Sequence, residues 1–290
     1  MKDRFGLGWR PELAAGILSH LDRIDVVEVI ADDYFDAPRQ TVRALTTLAT
    51  QIPVLLHGVS VGLGSAAPVE TARLERMARL VEAVRPQSWS EHLAFVRAGG
   101  IEIGHLAAPP RTGATVAGAT RNLAAARAIV GTTPLVENVA TLIEPPGSTY
   151  DEASWVGEII SASGCDLLLD LHNLYANAVN FGFDPYGYLA RIPAGRIAAI
   201  HLAGGKWIQA SKSNGRDSRR LLDDHLHDVP EPVYALLTAV GERTSAPLTV
   251  ILERDGQYPP IEQLLRQLEI ARHALRQGRM RRMRAEAEAA

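Results

Sequence analysis

In the stretch Leu167-Leu-Leu-Asp170-Leu-His172-Asn173-Leu-Tyr-Ala-Asn177-Ala-Val-Asn180, an uninterrupted apolar run gives way within a few residues to a carboxylate, an imidazole and a carboxamide. Such a run is what a strand buried on both faces shows. The residues that end it are acid/base and metal-ligand types, placed where a core strand would leave its sheet. The same form recurs along the chain. Asp25-Val-Val-Glu28-Val-Ile runs into Asp32, Pro53-Val-Leu-Leu ends in His57, and Ser90-Glu91-His92 closes another short run. Pro134-Leu-Val leads to Glu137-Asn138, Ile197-Ala-Ala-Ile to His201, and Leu248-Thr-Val-Ile-Leu to Glu253-Arg254-Asp255. Asp223, Asp224, His225 and His227 follow a polar loop at 206–220.

Gathered at one place, these side chains make a cage of nitrogen and oxygen donors without thiolate, which suits Fe, Mn, Zn or Mg by ligand type. The abundance of imidazole argues against Mg alone, and the donors outnumber the needs of one ion, so two or three ions bridged by carboxylates are expected. Any one of His57, His92, His172, His201 or His225, taken singly, reads as a hydrogen-bonded core histidine; together at strand ends they favour a metal site. Glu137 and Glu253 each end a buried run and must be paired or metal-bound, because an isolated buried charge is too costly. Arg254 paired with Asp255 or Glu253 is the purely structural alternative. His225 and His227 alternate as on an extended segment and would face one side, one as a metal ligand and the other either supporting the ligands from behind or facing substrate. Strand alternation would likewise turn His172 the same way as Asp170. Asn173, nearest its strand, is a candidate ligand, whereas Asn177 and Asn180 would cap or close turns. The candidate catalytic groups are Asp170, His227 and Asp255. His20 and His273 fall on helices as surface residues, His105 falls in a loop, and Cys165 sits at the far end of its strand as a core residue.

The elements that must position these groups alternate from end to end. Strands are expected near 5–9, 25–30, 53–57, 88–93, 134–138, 167–170, 197–205 and 248–255. Helices are expected near 12–21, 38–49, 69–84, 114–130, 152–162, 185–189, 231–240 and 260–276. Eight βα units without a strong linker predict a single (β/α)8 TIM-type barrel over 1–278, followed by a polar, frayed tail over 279–290. Barrel enzymes carry their sites at the C-terminal ends of the strands, which is where the ionisable residues fall. An open doubly wound sheet would show Gly-x-Gly-x-x-Gly after its first strand; Gly62-Leu-Gly64-Ser65 is too short to be that signal.

Composition sets the outer bounds. The 290 residues are 47% hydrophobic and 22% charged, as in an ordinary globular chain able to bury a large core. A net charge of -3 gives no electrostatic reason to expect nucleic acid or an anionic membrane as partner. No apolar run approaches a membrane span, and the start of the chain lacks the apolar core of a signal peptide. The single cysteine excludes an internal disulfide and fits the cytoplasm as the expected location.

Several motifs also resemble a known family. They are Leu56-His57-Gly-Val-Ser-Val-Gly-Leu-Gly-Ser65, Ser90-Glu-His-Leu-Ala-Phe95, Glu137-Asn-Val139, Asp170-Leu-His-Asn-Leu-Tyr175 and Asn180-Phe-Gly-Phe-Asp-Pro185, with Ile200-His-Leu-Ala-Gly204, Asp223-Asp-His225 and Leu252-Glu-Arg-Asp255. In this order, and over nearly the whole chain, they resemble the DUF692 (UPF0276) family of multinuclear non-haem iron-dependent oxidative enzymes, which includes the methanobactin biosynthesis oxidase. The resemblance implies a TIM-type barrel with two or three irons in mixed Fe(II)/Fe(III) state and O2 as co-substrate. It implies oxidative modification of a residue, usually cysteine, in a ribosomally made precursor peptide that a separate protein commonly presents. It places iron at His57, His92, Glu137, Asp170, Asn173, His201, Asp223, His225 and Glu253, with His227 a further candidate and a ligand role for His172 left open. Three positions depart from the common pattern: Asp32-Asp33-Tyr34 in place of Glu-Asn-Tyr, His172-Asn173 in place of Asn-Asn, and Arg254 in place of Trp. They lie at the expected mouth, so the reaction need not be that of the best-known members. Two other functions use the same residues: a divalent-metal hydrolase or isomerase resembling endonuclease IV or xylose isomerase, and a non-catalytic metal-binding or peptide-presenting protein.

Overall fold

The computed structural model describes residues 2–209 and 219–289. In chain order the strands are β1 (Arg4–Gly8), β2 (Val26–Ile30), β3 (Val54–Gly58), β4 (Trp89–His92), β5 (Phe95–Ala98), β6 (Ile101–Ala107), β7 (Leu135–Glu137), β8 (Leu167–Asp170), β9 (Ile197–Leu202), β10 (Gly205–Gln209), β11 (Arg219–Asp223) and β12 (Thr249–Leu252). The helices are α1 (Ala14–Leu18), α2 (Arg39–Ala49), α3 (Thr71–Val84), α4 (Gly113–Val130), α5 (Glu152–Ser163), α6 (Leu171–Phe181), α7 (Pro185–Arg191), α8 (Glu231–Arg243) and α9 (Ile261–Ala289). The parallel strands β1, β2, β3, β4, β7, β8, β9 and β12 close into a barrel, with β12 pairing back onto β1. This is the expected (β/α)8 barrel. Two antiparallel hairpins, β5–β6 and β10–β11, stand outside it at the C-terminal ends of the strands they follow.

The barrel interior follows from the period of two along each strand. Seven barrel strands set a small or apolar residue two positions before an ionisable one: Val26 before Glu28, Leu55 before His57, Ser90 before His92, Leu135 before Glu137, Leu168 before Asp170, Ala199 before His201 and Ile251 before Glu253. Val26, Leu55 and Ile251 form a small apolar cluster separate from the main core between sheet and helices. A largely apolar floor thus lies beneath a layer of carboxylates and imidazoles.

The expectation of a short helix only at 185–189 after the sixth barrel strand is corrected. α6 starts at Leu171 directly off β8, because the Asp170 side chain accepts a hydrogen bond from the Asn173 backbone N–H at 2.6 Å and caps it. His172 therefore lies on a helix, and strand alternation does not apply to it. α6 is buried on nearly every side, which hid its period. Its asparagines sew neighbouring segments to it. Asn177 donates to Val139 O and Glu152 Oε2, both at 2.9 Å, and accepts from Thr141 N, while Asn180 both donates to and accepts from the Leu221 backbone. The polar loop at 206–220 is largely outside the described residues, its two ends pairing as β10 and β11. The segment from 279 continues α9 as helix to Ala289 and is mostly exposed. Among the described residues, no helix is long and apolar enough to cross a membrane.

The loop after β3, which closes one side of the mouth, is organised by α4. Asn122 donates to the carbonyls of Leu63, Ser65 and Ala67 and accepts from Val69 N. One turn away, a Cβ on Gly118 would stand 2.5 Å from both Ala66 Cα and Ser65 O, which are backbone atoms that cannot swing aside. Gly118→Ala is expected to cost about 1–3 kcal/mol by overpacking this contact, read as a lowered Tm in thermal denaturation.

Candidate metal centre

The ionisable layer is close-set. His57 Nε2 lies 3.4 Å and His92 Nε2 3.3 Å from the same Glu137 oxygen, Oε2. The opposite nitrogens are anchored: His92 Nδ1–H donates to Gly58 O at 3.2 Å, and His57 Nδ1 is hydrogen-bonded to Ser90 Oγ at 2.8 Å. Such anchoring fixes each ring with its Nε2 atom aimed at the shared point, as metal-binding histidines require. His201 sets Nδ1 3.3 Å from the other oxygen of Glu137, Oε1, and 2.9 Å from Glu253 Oε2, with Nε2 2.8 Å from Glu28 Oε1. These groups are almost sealed from solvent, His201 and Asp170 being 0% exposed and Glu137 2%.

Three overlapping donor sets result, each with its ligand atoms within 4.8 Å of one another: Glu28/His57/His201, His57/His92/Glu137, and Glu137/Asp170/His201/Glu253. Glu137 Oε2, Asp170 Oδ2, Asn173 Oδ1 and both His201 nitrogens are buried without a hydrogen-bond partner. Orphans of this kind, converging from several elements, are what a bound cation would satisfy.

The electrostatics agree. Burial, together with the charges of Asp223, Glu137 and Glu253, pushes the Asp170 carboxyl well above the usual range. Burial opposes charge on His201, yet Glu253, Glu28 and Glu137 raise its pKa well above that of a free imidazole. His92 is likewise raised to about 9, the attraction of Glu137 and Glu91 outweighing desolvation. Burial alone would raise Glu137, but His92, His201 and His57 hold it below the ordinary value. Protons thus do in the free protein what a divalent cation would do better.

The remaining candidates lie around this core. Asp223 binds His172 Nδ1 through Oδ1 at 2.7 Å and His225 Nε2 through Oδ2 at 3.0 Å. His225 Nδ1 continues to Asp255 Oδ2 at 3.0 Å and stands 3.8 Å from Glu253. Asp255 is ion-paired with Arg10 at the rim. His225 and His227 do not face one side, because His225 takes a left-handed φ of 54° that breaks the extended run. His227 turns out to Asp224 at 2.9 Å, its side chain 41% exposed, and joins none of the donor sets. Arg254 pairs with Asp228 and with the carbonyls of Gly256 and Gln257, not with Asp255 or Glu253. Asn173 Nδ2 donates to Asn138 O, which turns its free Oδ1 outward from that bond. Glu28 is the residue that sequence reasoning underweighted: it stands at a strand end like the others, but only barrel closure brings it to His201. Cys165 is buried in the core and hydrogen-bonded to Ser163.

Above the core opens a cavity of about 600 Å³ that His92, Glu137, Asn173, Asp223 and His225 floor and that Phe95, Leu106, Val139, Leu142, Ile143 and Leu222 wall. His105, on β6, also lines it. A cleft of about 670 Å³ on the outer side of α5, α6 and α7 touches none of the donor sets.

Residues 4–276 match the family described as RiPP precursor modification enzyme MbnB/TglH/ChrH. A UPF0276 protein of Caulobacter vibrioides is 35% identical over 278 residues, covering 96% of each chain. One from Streptomyces avermitilis is 37% identical and covers 93% of this chain but 54% of its own. Among solved structures, the Escherichia coli 3-keto-D-glucoside 4-epimerase YcjR is similar with a TM-score of 0.61 at 11% identity, covering 94% of this chain and 100% of its own. A xylose isomerase domain protein from Planctomyces limnophilus gives 0.57 at 14%, covering 98% and 100%. These two similarities show the barrel fold alone.

Fe(II) added anaerobically at about 100 times its Kd is expected to stabilise the metal-free protein by about 2.7 kcal/mol, seen as a raised Tm that Glu137→Ala abolishes. Because a metal must displace the proton from His92, affinity should rise with pH up to about 9. Calorimetric titration in buffers of different ionisation enthalpy will show the protons released.

Proposed function

The chain belongs to the MbnB/TglH/ChrH family of RiPP precursor modification enzymes, and from that premise we propose a multinuclear non-haem iron, O2-dependent oxidase that modifies cysteine in a ribosomally synthesised precursor peptide. The observation that carries the metal part of this reading is the position of Glu137. Its Oε2 serves the His57/His92 pair while its Oε1 serves His201, the arrangement of a carboxylate bridging two ions.

On this reading His57, His92 and Glu137 would hold one ion, and Glu137, Asp170, His201 and Glu253 would hold a second. Glu28, Asn173, Asp223 and His225 complete the set or admit a third. Iron bound there would supply one-electron redox chemistry toward O2 and a Lewis-acid site for a substrate thiolate. The chain supplies the rest. Ser90 and the Gly58 carbonyl hold the His57 and His92 rings so that their Nε2 atoms face Glu137. Asp170, whose proton burial and the neighbouring carboxylates favour, would have to give it up to serve as a ligand. Asp255, paired with Arg10, steadies the His225 ring at the rim, and His227, exposed and paired with Asp224, is assigned to substrate rather than metal on this reading.

The apolar walls of the mouth exclude water around a bound peptide side chain. Leu142 and Ile143, 37% and 72% exposed on that wall, offer contact area for the peptide or for a partner protein that presents it.

The test is aerobic incubation of iron-loaded protein with the precursor peptide encoded beside its gene, read by mass spectrometry. A mass change confined to cysteine, lost when the peptide cysteine is replaced by alanine and lowered at least about 100-fold in Glu137→Gln, is the expected outcome. Full zinc or manganese occupancy without iron in freshly purified protein would instead favour a hydrolase or isomerase.

A further inference from the structure

His172 is left without a part by the proposed function. It is 0% exposed, on the first turn of α6, and belongs to none of the three donor sets although it follows Asp170 by two residues. We propose that His172 is a positioning residue that locks Asp223 into the metal centre, and not itself a ligand. The inference rests on the metal reading of the site.

Asp223 differs from the barrel ligands in origin. Glu28, His57, His92, Glu137, Asp170 and His201 sit on barrel strands, whose hydrogen-bond ladder fixes them. Asp223 ends β11 in a two-stranded hairpin outside that ladder. Something other than the sheet must place its carboxylate, and α6 does so at two points. Asn180 grips Leu221 by donating to its carbonyl at 2.9 Å and accepting from its N–H at 2.8 Å. Two residues on, His172 Nδ1–H donates to Asp223 Oδ1 at 2.7 Å. That bond takes one carboxylate oxygen and turns the other, Oδ2, to His225 Nε2 at 3.0 Å, beside Glu253.

The remaining nitrogen of the ring argues against ligation. His172 Nε2 is buried without a partner, and it packs against Gly205 of β10: a Cβ there would stand 3.1 Å from Nε2 and 2.7 Å from Cε1. The ring is therefore wedged between α6 and the hairpin backbone, one nitrogen spent on Asp223 and the other facing Gly205.

The test uses anaerobic Fe(II) titration and Mössbauer spectra of the full-length protein, with circular dichroism and Tm as a check on folding. His172→Leu is expected to weaken the most loosely held iron by about 10- to 100-fold. His172→Asn, which keeps an N–H donor at the Nδ1 position, should restore wild-type uptake; His172→Gln, which reaches only the Nε2 position, should not. In an Asp223→Asn background, His172→Leu should cause no further loss. Further loss there would make His172 an independent ligand and overturn the proposal, as would wild-type uptake in His172→Leu. If the Leu variant does not fold, the Asn and Gln variants decide, equal behaviour of the two being the overturning result. A wild-type chain that takes up no Fe(II) would sink the metal reading and this inference together, visibly before any variant is made.

Discussion

Glu137 is a carboxylate 2% exposed, set among three imidazoles from three different strands. A charge so placed is tolerated only if its surroundings answer it. Much of the upper barrel can be understood as that answer. His57 and His92 approach one oxygen and His201 the other; these rings draw in Glu28 and Glu253; and their outward nitrogens need Ser90 and the Gly58 carbonyl. Removing any one member would leave another buried and unpaired, so the layer stands or falls as a unit. Below it Val26, Leu55 and Ile251 form an apolar floor, and burial against such a floor lowers the local dielectric and sharpens these interactions.

The barrel and the gathering of ionisable residues at one end of it were legible for the same reason. A strand buried on both faces gives a continuous apolar run, and a barrel exposes only the ends of such runs to a shared mouth. A Glu or His at the end of Pro134-Leu-Val or Ile197-Ala-Ala-Ile therefore announces both the strand and the site. What sequence could not give was convergence. Glu28 and His201 meet only when β12 closes on β1, a contact that no local pattern encodes.

The misreadings have local causes. α6 looked like a turn because Asn173, Asn177 and Asn180 are turn formers in isolation; here each is consumed by a hydrogen bond to another segment, and the helix is buried enough to have no polar face. His225 and His227 looked like an extended pair because spacing says nothing of the left-handed backbone at His225 itself. The β5–β6 and β10–β11 hairpins lie in stretches rich in charge and glycine, where neither period is strong enough to read.

Closure of the barrel through β1 and β12 also orders events in time. The donor sets take members from position 28 to position 253, so no fragment that lacks the last strand can hold the complete cage, however well its earlier βα units have folded. During synthesis the early carboxylates and imidazoles wait, solvated, for a partner made more than two hundred residues later. Contacts of such separation form slowly, and an ion captured by the full set would then reward only the finished topology. A cation bound by the full set would thus favour complete chains over partly made or misregistered barrels.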